Sequence, residues 1–267
     1  MRPMDPVVRR ILAVDQANRS LGHEVFAAAG ATFVRNPALP HIHDANHVAH
    51  VRVATPADID ALLARLEREF PHCDHRQFVL DPETPAEFEA RLVLEGYDDV
   101  EATLMMALEG PLRAPSPSHD LRPILTSADW DAYARLKRLD WAERAARLGL
   151  GPLPHVAEGM IQAYRLKTPP LRYWLAYVEG DVRAFFSSWE GPDGVGQVED
   201  LFVEAPWRHR GIATALLQHA VADARRKGAG PIAIAADATD TPKRMYAAMG
   251  FRPVGVLRKY TRWVRGK

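Results

Sequence analysis

The sequence predicts a mixed α/β (α+β) protein built as two domains. Three observations predict this. The chain has 267 residues, of which 47% are hydrophobic and 25% charged. At ~100–200 residues per domain this is one large or two small globular domains, and the composition argues against a disordered, collagen-like or coiled-coil chain. The stretch Pro111–Ser118, PLRAPSPS, packs three prolines and two serines into eight residues, which marks a linker. Cutting there gives domains 1–115 and 116–267. The second domain then reads β-α-α-β-β-β-α-β-α-β, an order that forms a sheet covered by helices.

Each element has a local reason. Residues 6–29 carry a loose apolar stripe (Val7, Ile11, Leu12, Ala17, Leu21) and predict a helix stopped by Gly30. Residues 50–54 predict a short strand. Thr55-Pro56 opens a helix with Leu62, Leu63 and Leu66 on one face. Residues 77–80, 85–94 and 101–108 predict a strand, a helix and a strand. Beyond the linker, 121–125 predict a strand, and Thr126-Ser127-Ala128-Asp129 caps a helix reaching about residue 148. A short helix follows over 155–165. Strands at 172–178 and 182–190 are joined at Glu179-Gly180-Asp181, a hairpin signal. A strand at 197–203 leads to a helix over 211–227, and Gly228 ends that helix. A strand at 232–236, a helix at 242–249 and a strand at 254–263 complete the chain.

Charge and cysteine content narrow the function classes. Lys plus Arg and Asp plus Glu each number 34, which argues against a nucleic-acid binder held by bulk charge. The halves differ: residues 1–115 hold 11 basic and 18 acidic residues, and 116–267 hold 23 and 16. An anionic ligand is therefore expected on the second half. The single Cys73 fits a reducing compartment. No stretch resembles a signal peptide or a membrane span, so the expectation is a cytoplasmic protein without a membrane partner.

The segment QVEDLFVEAPWRHRGIA (197–213) runs a strand through a turn into a helix. The free amides of the turn and of the helix's first residues converge there, the helix dipole favours negative charge, and Gly211 and Ala213 leave the backbone open to close approach. The spacing Arg208-x-x-Gly211-x-Ala213 is neither a Walker loop nor a dinucleotide fingerprint. It resembles motif A of the GNAT acyltransferases, which binds the pyrophosphate of acyl-coenzyme A. Downstream, TPKRMYAAMGF (241–251) resembles the helix of the same family that ends in Tyr-x-x-x-Gly-Phe. The resemblance covers roughly 121–263.

It implies a mostly antiparallel GNAT-like sheet flanked by helices, two domains in tandem, and transfer of an acetyl or longer acyl group from coenzyme A to a primary amine by direct attack. Acetyl-CoA is then the co-substrate. The cofactor contacts expected are Phe202, Val203, Arg208, His209, Arg210, Gly211, Ile212, Ala213 and Thr239. Thr239 stands where the family often has Asn, seven residues before the tyrosine. Tyr246 is the expected general acid. Glu199 and Asp200 compete for the general base, because strand alternation puts Glu199 with Leu201 and Val203, and Asp200 with Phe202, unless a bulge reverses the faces.

Trp141, Tyr164, Tyr173 and Trp174 suit either an acceptor pocket or the core. The first half echoes the pattern, since 78–100 resembles 233–255, but lacks the Arg-x-x-Gly-x-Gly/Ala loop. It reads as a degenerate GNAT-like domain that supports the second, giving a monomeric pseudo-dimer or a homodimer. The histidine-rich segment 41–50 suits a capped loop better than a zinc site, so no metal is expected. The rival reading is a non-catalytic acyl-CoA-binding sensor, which would need neither Tyr246 nor Glu199.

Overall fold

A computed structural model describes residues 4–113 and 118–264. Its helices are α1 (Pro6–Ser20), α2 (Pro56–Glu69), α3 (Ala86–Leu94), α4 (Ser127–Arg147), α5 (Pro154–Leu166), α6 (Ile212–Arg226) and α7 (Pro242–Ala248). Its strands are β1 (Glu24–Ala28), β2 (Ala31–Arg35), β3 (His47–Ala49), β4 (His75–Leu80), β5 (Asp99–Leu108), β6 (Asp120–Pro123), β7 (Arg172–Val178), β8 (Asp181–Trp189), β9 (Gly196–Val203), β10 (Ile232–Asp237) and β11 (Arg252–Trp263). The fold is mixed α+β, as the sequence predicts. Most of the strand pairs within the two units are antiparallel.

The chain divides into two compact units, but not at one point. The first unit takes residues 1–105, 235–243 and 253–267, and the second takes 106–234 and 244–252. Residues 114–117, which include the cut expected at 115, lie outside the described residues. Grouped this way, the first unit holds 16 basic and 19 acidic residues and the second 18 and 15. The charge contrast falls to −3 against +3, because basic β11 belongs to the acidic unit. Overall charge therefore sets neither unit strongly apart as a partner for anions.

In the first unit β1, β2 and β3 pair antiparallel in turn, β3 pairs parallel with β4, and β4 pairs antiparallel with β11. The β3–β4 connection contains α2, which opens at Thr55-Pro56 as the sequence predicts, and the Thr55 side chain accepts a hydrogen bond from Asp58 N–H. The core gathers Phe33, Val48, Leu62, Leu66, Phe78, Leu80, Phe88 and Tyr260. Every residue of β4 is buried, so its run of side chains is covered on both faces.

Two expectations fail in this unit. The helix expected over 6–29 ends at Ser20, and residues 24–28 form a hairpin with β2 instead. Gly22 breaks the helix with φ 77°, and strand pairing overrides the helical preference of the alanines that follow. The strand expected over 50–54 lies three residues earlier, because His50 takes φ 50° and leaves the extended region. Around it, the His43 and His75 rings pack at a tilt with centres 4.0 Å apart, and His47 bonds Gln16. Burial, aided by His75 and Lys259, pushes His43 down to about 3. Among the described residues no three His, Cys, Asp or Glu side chains converge on a point fit for a metal. Burial also pushes the Cys73 thiol up to about 12.

In the second unit the strands pair in the order β6, β7, β8, β9, β10. The last pair is parallel, with Ile232 opposite Gly196 through Ile234 opposite Val198. The neighbours Phe185 and Phe186 show how both faces are covered. Phe185 packs on Tyr133 of α4 at 4.7 Å, while Trp174, opposite Phe186, packs on His219 of α6 at 4.1 Å. Thr126 and Asp129 close the expected capping box at the start of α4.

Asp223 ties α6 to the sheet. Its Oδ2 accepts from Ser188 Oγ and from Arg172 Nε, each at 2.7 Å. Burial alone would raise its pKa, but these bonds and the guanidinium charge outweigh it and hold the carboxyl below the ordinary value of 3.8. A depressed folded pKa stabilises the fold above the unfolded value, and this stabilisation disappears as pH falls through the folded one. Asp223→Asn is expected to lower unfolding stability by about 2 kcal/mol at pH 7, with the deficit shrinking below pH 3.8. Urea melts at both pH values check this.

Candidate active site

A turn joins β9 to α6 where the sequence expects one. After β9 the chain makes a 3-10 turn over Ala205–Trp207, with Trp207 N–H donating to Glu204 O at 2.9 Å. His209 then takes φ 63°, and Gly211 caps α6 with φ 80° and ψ −2°. No side chain caps this helix and no acidic residue lies in its first turn. The first intrahelical bond of the cap runs from Ala215 N–H to Gly211 O, so the amides of Ile212 and Ala213 precede the helical ladder. His209 and Arg210 are exposed, Gly211 and Ala213 half-buried, and Ile212 buried.

The arginines are arranged differently from expectation. Arg208 Nε donates to Val203 O at 2.9 Å and Nη2 to Glu143 Oε2 at 2.5 Å. Its guanidinium therefore braces β9 against α4 in this conformation, with Nε and one Nη2 donor engaged within the protein. Arg210 stacks on Trp207 at 4.6 Å, and Arg183 covers the same ring at 4.9 Å.

The carboxylates separate by environment. Asp200 takes φ 61°, and the β8–β9 register shows a bulge there: Ser187 faces Glu199 while Phe185 faces Phe202. Between these pairs one residue of β8, Phe186, faces two of β9, Asp200 and Leu201. Glu199 therefore shares a face with Phe202, not with Val203 as simple alternation requires, and Phe202 stacks on Phe185 at 5.7 Å. Asp200 is enclosed. Its Oδ2 accepts from Tyr133 Oη at 2.8 Å and its Oδ1 from Lys137 Nζ at 2.5 Å. Both charged side chains of that pair are 5% exposed. Glu199 is more open, at 19%, with Lys167 Nζ 3.4 Å from Oε1 and Gln197 Nε2 3.5 Å from Oε2.

Tyr246 is buried on α7, and its carbonyl accepts from Phe251 N–H at 3.0 Å across the left-handed Gly250. Thr239 belongs to the first unit, where its hydroxyl donates to Asp237 Oδ1 at 2.6 Å. Tyr173 packs between Tyr133 (5.1 Å) and Tyr164 (6.1 Å), and burial, with Asp200, Tyr164 and Glu199 nearby, raises its pKa well above the ordinary phenol value. Trp174 donates to Ser188 from the α6 face. Sequence reasoning missed Lys137, Tyr133, Lys167 and Glu143. The available signal was a lysine four residues after a tyrosine on an otherwise apolar helix face.

Residues 132–251 match the sequence profile of the Acetyltransferase (GNAT) family. The chain carries a GNAT domain. No match was found among curated proteins. Solved structures share the fold at low identity. A GCN5-related N-acetyltransferase from Kribbella flavida superposes with a TM-score of 0.69 and 14% identity, covering 99% of this chain and 98% of its own. A conserved protein of unknown function from Staphylococcus epidermidis gives 0.65 and 14%, covering 90% and 94%. A tandem GNAT protein from the clavulanic acid biosynthesis pathway gives 0.58 and 15%, covering 83% and 76%. The GNAT profile spans the bulged strand, the α6 turn and the Tyr246 helix.

Proposed function

We propose that this protein transfers an acetyl group from acetyl-CoA to a primary amine. The observation that carries the reading is the entrance to α6, an uncapped helix start on a left-handed glycine with no acidic residue in its first turn. Such a start fits a pyrophosphate, because its first-turn amides lack intrahelical partners and the dipole favours negative charge. Residues 208–213 would hold the phosphates, chiefly through backbone, with the exposed Arg210 side chain beside them. The amides of Phe202 and Val203 would meet the acyl arm and its carbonyl. When bound, acetyl-CoA supplies an activated thioester. Glu199 would take a proton from the acceptor ammonium to free the attacking amine, or from the amine as it attacks, and Tyr246 would give one to the departing sulfur.

The first unit supports a tandem reading. It repeats the motif of a parallel strand pair joined by a helix, with α2 between β3 and β4 as α6 stands between β9 and β10. Its helix start is closed by the Thr55 cap and carries Asp58 in the first turn. Tyr97 N–H donates to Leu92 O at 3.0 Å across the left-handed Gly96, as Phe251 does to Tyr246. Leu92 therefore stands where the second unit has its phenol. This unit is inferred to be a degenerate GNAT-like module without cofactor or acid, acting in place of a partner subunit.

Calorimetry with coenzyme A and thiol release with an amine panel test the reading. Micromolar binding with release dependent on an amine is the expected result. Binding without release across the panel would favour an acyl-CoA sensor. Gly211→Val is expected to weaken coenzyme A binding at least tenfold and to cost about 1–2 kcal/mol of stability, because a β-branched residue resists φ near 80°.

A further inference from the structure

The bulge in β9 is held by groups that the transfer reaction itself does not use. Tyr133 and Lys137 lie four apart on α4, one turn from each other on the same face. Each contributes a donor to a different oxygen of one carboxylate, Asp200, at 2.8 and 2.5 Å. Lys137 also donates to Asp140 Oδ2 at 2.8 Å and lies 4.8 Å from the Tyr164 ring centre. Burial works against this ammonium, but Asp140 and Asp200 outweigh it and hold its pKa well above the ordinary lysine value. Burial and Asp200 together raise the Tyr133 phenol, so it stays protonated and donates.

A buried ion pair is a poor way to gain stability, since well-packed apolar groups often serve as well. It is a good way to fix one conformation. The residue it fixes here is in the left-handed region, at φ 61°, which Asp tolerates better than most residues. Were that residue to return to the extended region, the extra residue of β9 would lose its place. The segment Glu199–Phe202 would then change face relative to β8.

We propose that Lys137 and Tyr133 are positioning residues that pin Asp200 and thereby the bulge that sets Glu199 and Phe202 on one face of β9. Asp200 acts through the strand and not as the base. The catalytic consequence rests on the proposed transferase reading with Glu199 as base, whereas the conformational consequence does not.

The test uses the full chain and four variants: Asp200→Asn, Lys137→Met, their double combination and Tyr133→Phe. Asparagine keeps the tolerance for φ near 60° and leaves Lys137 paired with Asp140, so this variant is expected to fold. Asp200→Asn and Lys137→Met should each lower kcat about 10- to 100-fold, the scale of a misplaced reacting group. The double variant should be no worse than the poorer single one, because the residues act as a unit. Tyr133→Phe should lower it less. The acidic limb of the kcat/KM profile should persist in Asp200→Asn. Hydrogen exchange at the amides of residues 199–203 should quicken at least about tenfold in both single variants, with α6 unchanged.

A lowered Tm with unchanged kcat and unchanged exchange would overturn the proposal. So would loss of the acidic limb in Asp200→Asn alongside full turnover in Lys137→Met, which would make Asp200 the base. If the wild-type chain transfers no acetyl group to any amine, the transferase reading fails, and the exchange data alone decide the pinning.

Discussion

Glu199→Gln is expected to lower kcat/KM for acetyl transfer about 10²- to 10⁴-fold at neutral pH, the usual range for losing a general base. The affinity for coenzyme A should change less than about threefold, since the phosphates are assigned to the turn at 208–213. The reason lies in the contrast between two adjacent carboxylates. Asp200 has both oxygens bonded to buried donors, whereas Glu199 is the more open, with Lys167 Nζ at 3.4 Å and Gln197 Nε2 at 3.5 Å. Stopped-flow thiol release and calorimetry on the same preparation separate the two effects. Unchanged turnover in the variant would remove Glu199 from the reaction.

The second large effect concerns integrity. Fragments 1–115 and 116–267, expressed separately, are expected to be insoluble or unfolded, and co-expression should recover a folded complex. The first unit needs β11, which pairs with β4 from Leu80–Arg258 to His75–Trp263. Removing it would bare the edge of a strand buried along its whole length, a template for aggregation. The second unit needs residues 106–113, where Arg113 N–H donates to Met249 O at 2.8 Å and Arg225 Nη2 donates to Gly110 O at 2.6 Å. Gel filtration and circular dichroism of each fragment, alone and together, check the prediction. A well-folded 1–115 fragment would show that β11 is dispensable to the first unit.

Much of the fold was readable because its signals are local. Thr55-Pro56, the Thr126–Asp129 box and Gly228 each fix a helix end through their own neighbours. The turn at Gly211 was readable for the same reason, since a left-handed cap without a competing side chain is a property of a few consecutive residues. What could not be read depends on partners far along the chain. Residues 24–28 became a strand because β2 was there to pair with them. The face of Glu199 turned on one bulged residue, and the enclosed surroundings of Asp200 come from Tyr133 and Lys137, more than 60 residues away. Likewise the Arg208 guanidinium was engaged by Glu143, 65 residues distant, which no motif spacing encodes.

The placement of β11 also sets a timetable for biosynthesis. Arg258 is added 178 residues after its partner Leu80. At ~5–20 residues per second the first unit waits roughly 10–40 s with one edge of β4 uncovered. The part of the protein translated first is thus the part completed last. During that interval the nascent chain has a strong claim on chaperones, and slow elongation or termination before β11 should be more damaging to the first unit than to the second, whose strands lie between β4 and β11 in the chain.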